Sequence, residues 1–171
     1  MKIAIGSDHA GFELKEKLKK YLTDSGILLE DMGTNSPESI DYPDIAERVA
    51  AKVRDGAAER GILLCATGVG VCMTANKIHG VRAALAWNHQ IAELCRQHNN
   101  ANILCLPGRF MDFAAAQDVV KTFLETPFES GGRHERRVNK ISAIELKDRN
   151  SGERTTSSHN AAGYDPQSGS R

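Results

Sequence analysis

The sequence contains a cysteine followed by a turn of small residues, a combination that suits proton transfer or nucleophilic chemistry. Cys65 ends a short apolar run, and the next residues are Ala66, Thr67, Gly68, Val69 and Gly70. Turns of this kind present backbone N–H groups to an anion or an oxyanion, and such donors stabilise a thiolate. A lone cysteine at a strand end is more often packed in the core, so that alternative stays open. The turn lacks both the GxGxxG spacing of a dinucleotide-binding loop and the Gly-Lys-Ser/Thr of a Walker A loop.

Other polar groups also follow apolar runs. Asp8 and His9 stand in the glycine-flanked segment 6–11, where they could act on a substrate or could be a helix N-cap and an exposed histidine. Arg109 follows Pro107 and Gly108. Because the carboxyl ends of parallel strands meet at one edge of a sheet, we expect these groups on the same rim as Cys65.

Two more candidate groups lie outside these loops. His98 and Asn99 stand in the polar stretch 96–100, which is also typical of a helix C-terminus with a favourable cation. Arg133, Arg136 and Arg137 form the densest positive cluster of the chain. A solvated helix face is the default explanation for such a run, but arginines one turn apart also suit a phosphate.

Short apolar runs recur along the chain and are nearly continuous, which is typical of strands buried on both faces of a parallel sheet. The five runs are 3–5, 27–29, 62–65, 83–86 and 103–106. Helical spacing between them predicts a first helix with its lysines opposite an apolar stripe of Phe12, Leu14, Leu18, Tyr21 and Leu22. A second helix is predicted after the segment 41–44, with an apolar stripe of Ile45, Val49 and Val53. Further helices are predicted after Gly70, over 88–97 with Asn88 as N-cap, and over 112–124.

This alternation predicts an α/β fold: a three-layer α/β/α sandwich, Rossmann-like, with about five parallel strands and right-handed crossovers. After a glycine hinge at 131–132, Val138, Ile141 and Ile144 predict a final helix with one apolar stripe. We expect this C-terminal helix to pack on a partner subunit. Residues 1–150 are expected to form one domain, and the Ser- and Gly-rich segment 151–171 a disordered polar tail.

The composition excludes several classes of function. In 171 residues, 22 Lys and Arg balance 22 Asp and Glu, which argues against nucleic acid as a partner. No apolar run approaches the ~18 residues that span a membrane, and the amino terminus enters a strand pattern at once, so a soluble, cytoplasmic protein with no membrane contact is expected. The four cysteines show no CxxC pair and no zinc-site spacing, and we expect no metal.

Several motifs in the same order and at matching spacing resemble those of the ribose/galactose isomerase family. They are GSDHAG at 6–11, DYP at 41–43, GILLCATGVG at 61–70, ANK at 75–77, RQHN at 96–99, and GGRH at 131–134 with Arg137. The resemblance runs from Met1 to about Arg149. It implies an aldose–ketose isomerase of the pentose phosphate pathway that interconverts ribose 5-phosphate and ribulose 5-phosphate without metal or cofactor. It also implies a homodimer or dimer of dimers with the pocket between two subunits.

The resemblance further implies roles for individual residues. Cys65 would be the base that moves a proton between C2 and C1, and Thr67 with the 66–70 backbone would stabilise the enediolate. Asp8 would handle hydroxyl protons, and His98 would open the sugar ring. The implied substrate-binding residues are Asp8, His9, Ala66, Thr67, Gly68, Val69, Gly70, Asn99, Arg109, Arg133 and Arg137, with His9, Arg133 and Arg137 on the phosphate. Family members with a glutamate base carry it where this chain has Val71, which favours the cysteine, and Ala66 stands where many relatives have glycine.

Three alternatives stay open. The first is an isomerase of a six-carbon sugar phosphate, such as allose 6-phosphate or galactose 6-phosphate, on the same scaffold. The second is a cysteine-nucleophile hydrolase or acyl transferase that uses Cys65, His98 and Asn99, which needs His98 within hydrogen-bond reach of the sulfur. The third is a non-catalytic module that binds a sugar phosphate or a nucleotide.

Overall fold

The computed structural model describes residues 1–159, with side chains up to residue 147. Within this part of the chain, five strands form one sheet: β1 (Lys2–Ser7), β2 (Leu28–Asp31), β3 (Arg60–Cys65), β4 (Ala83–Leu85) and β5 (Ile103–Pro107). All neighbouring strands pair in parallel, in the order β2-β1-β3-β5-β4. The predicted Rossmann-like sheet of five parallel strands is confirmed.

Helices connect and follow the strands. They are α1 (Phe12–Asp24), α2 (Tyr42–Arg54), α3 (Val69–Ala75), α4 (His89–Gln97), α5 (Phe113–Glu125) and α6 (Arg133–His159). The carboxamide oxygen of Asn88 accepts the Ile91 N–H at 2.9 Å, which confirms the predicted N-cap. Asp112 caps α5 in the same way, since its Oδ1 accepts the Ala115 N–H at 2.8 Å. Each cap satisfies a backbone donor that the first turn of a helix leaves free.

The helices cover both faces of the sheet and so produce the predicted three layers. α1, α4 and α5 share one apolar core with strand residues such as Ile5 and Leu64. α2 and α3 pack on the other face, against strand residues such as Ala4 and Leu63. Successive residues of a strand therefore enter different cores, which explains why the apolar runs are continuous rather than alternating.

Lys15 departs from the sequence prediction for α1. Its side chain is fully buried, and its Nζ donates to both carboxylate oxygens of Asp31, at 2.8 and 2.9 Å, and to the Thr34 carbonyl at 2.6 Å. The expectation that the lysines of this helix lie opposite its apolar face is wrong at this position. Burial is tolerated because the Asp31 carboxylate at the end of β2 compensates the charge.

Up to residue 147, the last helix leaves much of its predicted apolar stripe exposed within its own chain. Of its predicted apolar stripe, Val138 is buried, whereas Ile141 and Ile144 are exposed. Glu145 accepts the backbone N–H of Gly80, just before β4, at 3.2 Å, so α6 runs past the amino-terminal edge of the sheet. It continues to His159, into the segment predicted as a disordered tail, and residues 160–171 lie outside the described residues. None of the helices described is long and apolar enough to cross a membrane.

Candidate active site

The carboxyl ends of β1, β3 and β5 bring three loops together. Asp8 donates its backbone N–H to the Leu64 carbonyl at 3.2 Å, and Gly108 donates to the Cys65 carbonyl at 2.8 Å. The neighbouring strands β1 and β3 lead into helices on opposite faces of the sheet, and ligands of α/β sheets bind at such points of divergence. The structure therefore brings Asp8, Cys65 and Arg109 to one rim.

The sulfur of Cys65 is enclosed by the turn that follows it. The residue is 4% exposed, and Gly68 donates its backbone N–H to Sγ at 3.1 Å. Gly68 adopts a left-handed backbone with φ of 74°, which turns its N–H back towards the sulfur, and Leu85 and Leu106 leave no room for a Cβ there. The Gly68 N–H is thus aimed at the sulfur as a hydrogen-bond donor.

Thr67 and Val69 are exposed at the mouth of this turn. Thr67 Oγ1 accepts the Val69 N–H at 3.3 Å, so the N–H groups of Gly68 and Val69 both have acceptors inside the turn. Tyr42 packs on the next residue, Gly70, where an added Cβ would lie 2.6 Å from the ring carbon Cζ. Tyr42 is thus a wall of the site, although the sequence interpretation gave it no role.

Asp8 organises the loop that precedes α1. Its carboxylate is buried, and Oδ1 accepts the backbone N–H groups of Ala10 at 2.9 Å and Gly11 at 3.0 Å. Gly11 itself lies so close to Leu64 that a Cβ would come within 2.6 Å of the leucine Cβ. One oxygen of Asp8 therefore holds the loop in shape. The interpretation of Asp8 as a helix N-cap is wrong, because the N-cap of α1 is Gly11.

His9 and Arg109 line one surface cavity of about 480 Å³ next to this rim. The Arg109 N–H donates to the Ala66 carbonyl at 3.1 Å, which fixes the base of its side chain. Lys17 of α1 lines the same cavity, with Glu13 and Asp112 as the acidic residues. An imidazole, a guanidinium and an ammonium group around one cavity suit an anion. Lys17 was not singled out from the sequence because it is one of several lysines on α1.

The other predicted site residues gather elsewhere, around the carboxyl end of α4. His98 is the C-cap of α4, and its ring stacks on that of His134 with centroids 3.9 Å apart and planes within 2°. Arg133 and His134 open α6, and Arg137 follows one turn later. Asn99 is exposed beside His98. His134 was missed from the sequence because it stands within a run of arginines that masks its position.

Arg96 fixes the loop that carries His98 and Asn99. The side chain is buried, and its guanidinium donates to the Ala101 carbonyl at 2.5 Å, to Asn100 Oδ1 at 3.0 Å and to the Thr126 carbonyl at 3.3 Å. Burial lowers the pKa of Arg96 to about 10. The Arg96 side chain joins the loop after α4 to Thr126, in the segment that leads into α6. One side chain therefore holds both the loop of His98 and the segment before Arg133.

Within one chain, the group of Asp8, Cys65 and Arg109 lies at the carboxyl edge of the sheet. The group of His98, Arg133 and Arg137 lies at the opposite, amino edge. Gly61 of β3 donates its N–H to the carbonyl of Asn102, just after the His98 loop, and Cys65 ends the same strand. At ~3.3 Å per residue, four residues of strand separate Gly61 from Cys65 by about 13 Å. Within one chain, His98 is therefore not placed to serve the Cys65 thiol, which opposes a hydrolase site built by a single chain.

Three of the side chains up to residue 147 could be considered as metal ligands. Ligand atoms of His98, Glu129 and His134 lie within 4.8 Å of one another. The two imidazole planes are parallel, however, and the nitrogen lone pairs lie in those planes. One ion cannot lie along both lone pairs, so this geometry does not fit a shared metal.

Comparisons with known proteins agree with this architecture. The profile of the family described as Ribose/Galactose Isomerase matches residues 3–141. The ribose-5-phosphate isomerase B of Escherichia coli strain K12 is 43% identical over 146 residues, 85% of this chain and 97% of the relative. A crystal structure of a ribose 5-phosphate isomerase from Thermotoga maritima is 56% identical with a TM-score of 0.81, covering 83% of this chain and 97% of the other. The Mycoplasma genitalium ribose-5-phosphate isomerase B, solved with bound ribulose-5-phosphate, is 46% identical with a TM-score of 0.82, covering 85% and 96%.

These matches extend over the sheet and both groups of polar residues. The chain is thus an aldose–ketose isomerase on a Rossmann-like fold. More narrowly, it belongs to the ribose/galactose isomerase family.

Proposed function

We propose that the chain interconverts D-ribose 5-phosphate and D-ribulose 5-phosphate through an enediolate, with Cys65 as the base. The observation that carries the proposal is the contact between the Gly68 N–H and Cys65 Sγ, at 3.1 Å in a site with 4% exposure of the cysteine. Removal of a proton next to a carbonyl needs a base that changes protonation state readily, held away from water. The Mycoplasma genitalium relative with bound ribulose-5-phosphate supports the choice of substrate.

The reaction balances without an external reactant. Cys65 takes the proton from C2 of the open-chain aldose and returns it to C1. The negative charge develops on the oxygens, to which the Thr67 hydroxyl and the N–H groups of the 66–70 turn other than those of Gly68 and Val69 would donate. Asp8 moves the hydroxyl proton of O2 to O1, so that C2 becomes the carbonyl. Before this step, His98 donates a proton to the ring oxygen as the bond between that oxygen and C1 breaks. The O1 hydroxyl gives up its proton to water, which leaves the open-chain aldehyde, and the released proton restores His98.

The phosphate and the ring-opening group require a second chain. His9 and Arg109 line a cavity beside Cys65, whereas His98, Arg133 and Arg137 stand at the opposite edge of the same sheet. A homo-oligomer whose partner contributes the second group would complete each site. The exposure of Ile141 and Ile144 on α6 supports this assembly, because apolar side chains of this size are normally covered.

Replacement of the base tests the chemistry. Cys65→Ala is expected to abolish isomerisation of ribose 5-phosphate while binding of a phosphate ligand, measured by calorimetry, survives. Cys95→Ala is the matched control, since Cys95 is a buried cysteine of α4 outside the site, and this variant should keep its activity. Full activity of Cys65→Ala would remove Cys65 from the mechanism.

Mixed oligomers test the shared site. Cys65→Ala and His98→Ala should each be inactive alone. After equal amounts are unfolded together and refolded, half of the dimers contain both chains, and each of these holds one intact site, so about a quarter of the wild-type activity returns. No recovery in mixed dimers that have been isolated as such would place both residues in one chain's own site.

Substrate preference separates the pentose from the hexose alternative. Initial rates with ribose 5-phosphate, allose 6-phosphate and galactose 6-phosphate are compared in the presence of a chelator. We expect the highest kcat/KM for ribose 5-phosphate, and no effect of the chelator. A preference for either hexose phosphate would contradict the proposed substrate. The four free cysteines suit a reducing compartment, and we infer that the enzyme acts in the cytoplasm.

A further inference from the structure

The stacked pair of His98 and His134 is not explained by the roles given so far. The rings are 3.9 Å apart and parallel within 2°. His134 stands in the first turn of α6, with 12% of its side chain exposed. The backbone N–H of Glu129 donates to the Gln97 carbonyl at 3.1 Å, which ties the segment before α6 to the residue before His98. The stacking thus rests on a backbone contact as well as on the rings.

The charges around the pair favour a neutral His134. Burial lowers the pKa of His134, and the positive charges of His98, Arg133 and Arg137 lower it further. Glu129 acts in the opposite direction, with its carboxylate oxygen 3.9 Å from Nε2. Arg133 Nε lies 3.3 Å from the same nitrogen and donates to it. A ring that accepts a hydrogen bond from a guanidinium at this nitrogen is unprotonated there.

We propose that His134 is a positioning residue for His98, which it holds by ring stacking while leaving the single positive charge of the pair on His98. The proposal rests on the proposed function, because it concerns the ring-opening step. Two protonated imidazoles at this separation would repel each other. A stacked neutral partner orients the protonated ring and contributes no competing charge.

Three substitutions separate stacking from charge. His134→Phe keeps a flat neutral ring, His134→Arg keeps a flat group with a fixed charge, and His134→Ala removes the ring. For ribose 5-phosphate, we expect kcat/KM to stay within about threefold in the Phe variant, to fall about tenfold in the Ala variant and to fall about a hundredfold in the Arg variant. His89→Ala is the control, since His89 opens α4 at its other end and bonds Asp118.

An open-chain substrate isolates the ring-opening step. Ribulose 5-phosphate cannot close a five-membered ring, because the oxygen that would attack C2 carries the phosphate. Exchange of its C1 hydrogen with deuterium from the solvent therefore reports proton transfer by the base without ring opening. We expect all three His134 variants to keep wild-type exchange within about threefold while they differ on ribose 5-phosphate.

The pH dependence gives a readout that a purely structural role would not change. The ratio of ribose 5-phosphate turnover to deuterium exchange should fall in the wild type as the pH drops through the pKa of His134, which lies below its ordinary 6.5. In the Phe variant this fall should be absent. Equal losses in both assays, or an unchanged pH dependence in the Phe variant, would overturn the positioning role. A wild type inactive in both assays would instead overturn the proposed function.

Discussion

Gly68 lies against Leu85 so closely that an added Cβ would stand 2.5 Å from the leucine Cδ1 and 3.0 Å from the backbone of Leu106. Gly68→Ala should therefore distort the turn that encloses Cys65, and we expect a loss of at least about 2 kcal/mol in the free energy of unfolding together with loss of isomerisation. Gly80→Ala is the matched control, because Gly80 has a similar φ of 77° but no atom within 4 Å of an added Cβ. It should cost only the backbone strain of about 1 kcal/mol. Denaturant unfolding compares the two, and equal losses would show that packing at Gly68 is unimportant.

The ion pair of Lys15 and Asp31 should contribute to stability. Asp31→Asn leaves the ammonium group of a fully buried lysine without its main partner, so we expect a loss of about 3 kcal/mol. Asp24→Asn removes a surface pair with Lys20, at 2.7 Å, and should cost less than about 1 kcal/mol. Similar losses for both variants would contradict a special role for the buried pair.

The same pair predicts a dependence on pH. Burial raises the pKa of Asp31, but hydrogen bonds from Lys15, Lys19 and the Gly33 N–H outweigh this effect and hold the pKa below its ordinary 3.8. The carboxylate therefore stabilises the fold fully above the unfolded pKa of about 3.9, and this contribution is lost as the pH falls through the lower folded pKa. The stability difference between wild type and Asp31→Asn should be constant near neutral pH and shrink in strong acid. A difference that grows on acidification would contradict this sign.

Cys72 should be alkylated at lower pH than Cys95. The hydrogen bond with Cys105 lowers the pKa of Cys72 to about 7, against the effect of burial, with help from the Leu85 N–H and Asn76. Burial raises the pKa of Cys95 to about 11. Iodoacetamide labelling followed by peptide mass spectrometry should modify Cys72 with a rate that rises through pH 7, because the thiolate is the nucleophile. Earlier labelling of Cys95 in the folded protein would contradict this order.

Arg137→Ala should raise KM for ribose 5-phosphate by about 10–100-fold, because a hydrogen bond to a charged group contributes roughly 1.5–3 kcal/mol. Arg136→Ala removes the adjacent exposed arginine, which was not assigned to the site, and should leave KM nearly unchanged. Steady-state kinetics distinguish the two. A fall in kcat with an unchanged KM would contradict this role, because it would show that Arg137 stabilises the transition state without contributing to substrate binding.

The strands and helices could be predicted from the sequence because helices cover both faces of the sheet, so that each strand is a continuous apolar run. Continuous apolar runs and a capping Asn88 were sufficient to place the strands and α4. Lys15 was misplaced because a hydrophobic pattern treats every lysine as exposed, and its partner Asp31 lies 16 residues away in the chain. Pairing between distant residues has no local signature.

The resemblance implied one pocket between two subunits, and within the single chain the candidate residues form two separate groups. Cys65 and Asp8 follow strands and so lie at their carboxyl ends, whereas His98 follows a helix that has returned to the amino edge. Topology alone could have shown this separation. The stacking of His134 on His98 could not have been predicted, because it depends on how α6 packs against α4.

The division of the site between opposite edges of the sheet has a consequence for when the enzyme works. If each site takes its base from one chain and its ring-opening acid from another, a newly folded single chain is inert. Specific activity should then decline on dilution as oligomers dissociate, and assembly itself would switch the catalyst on.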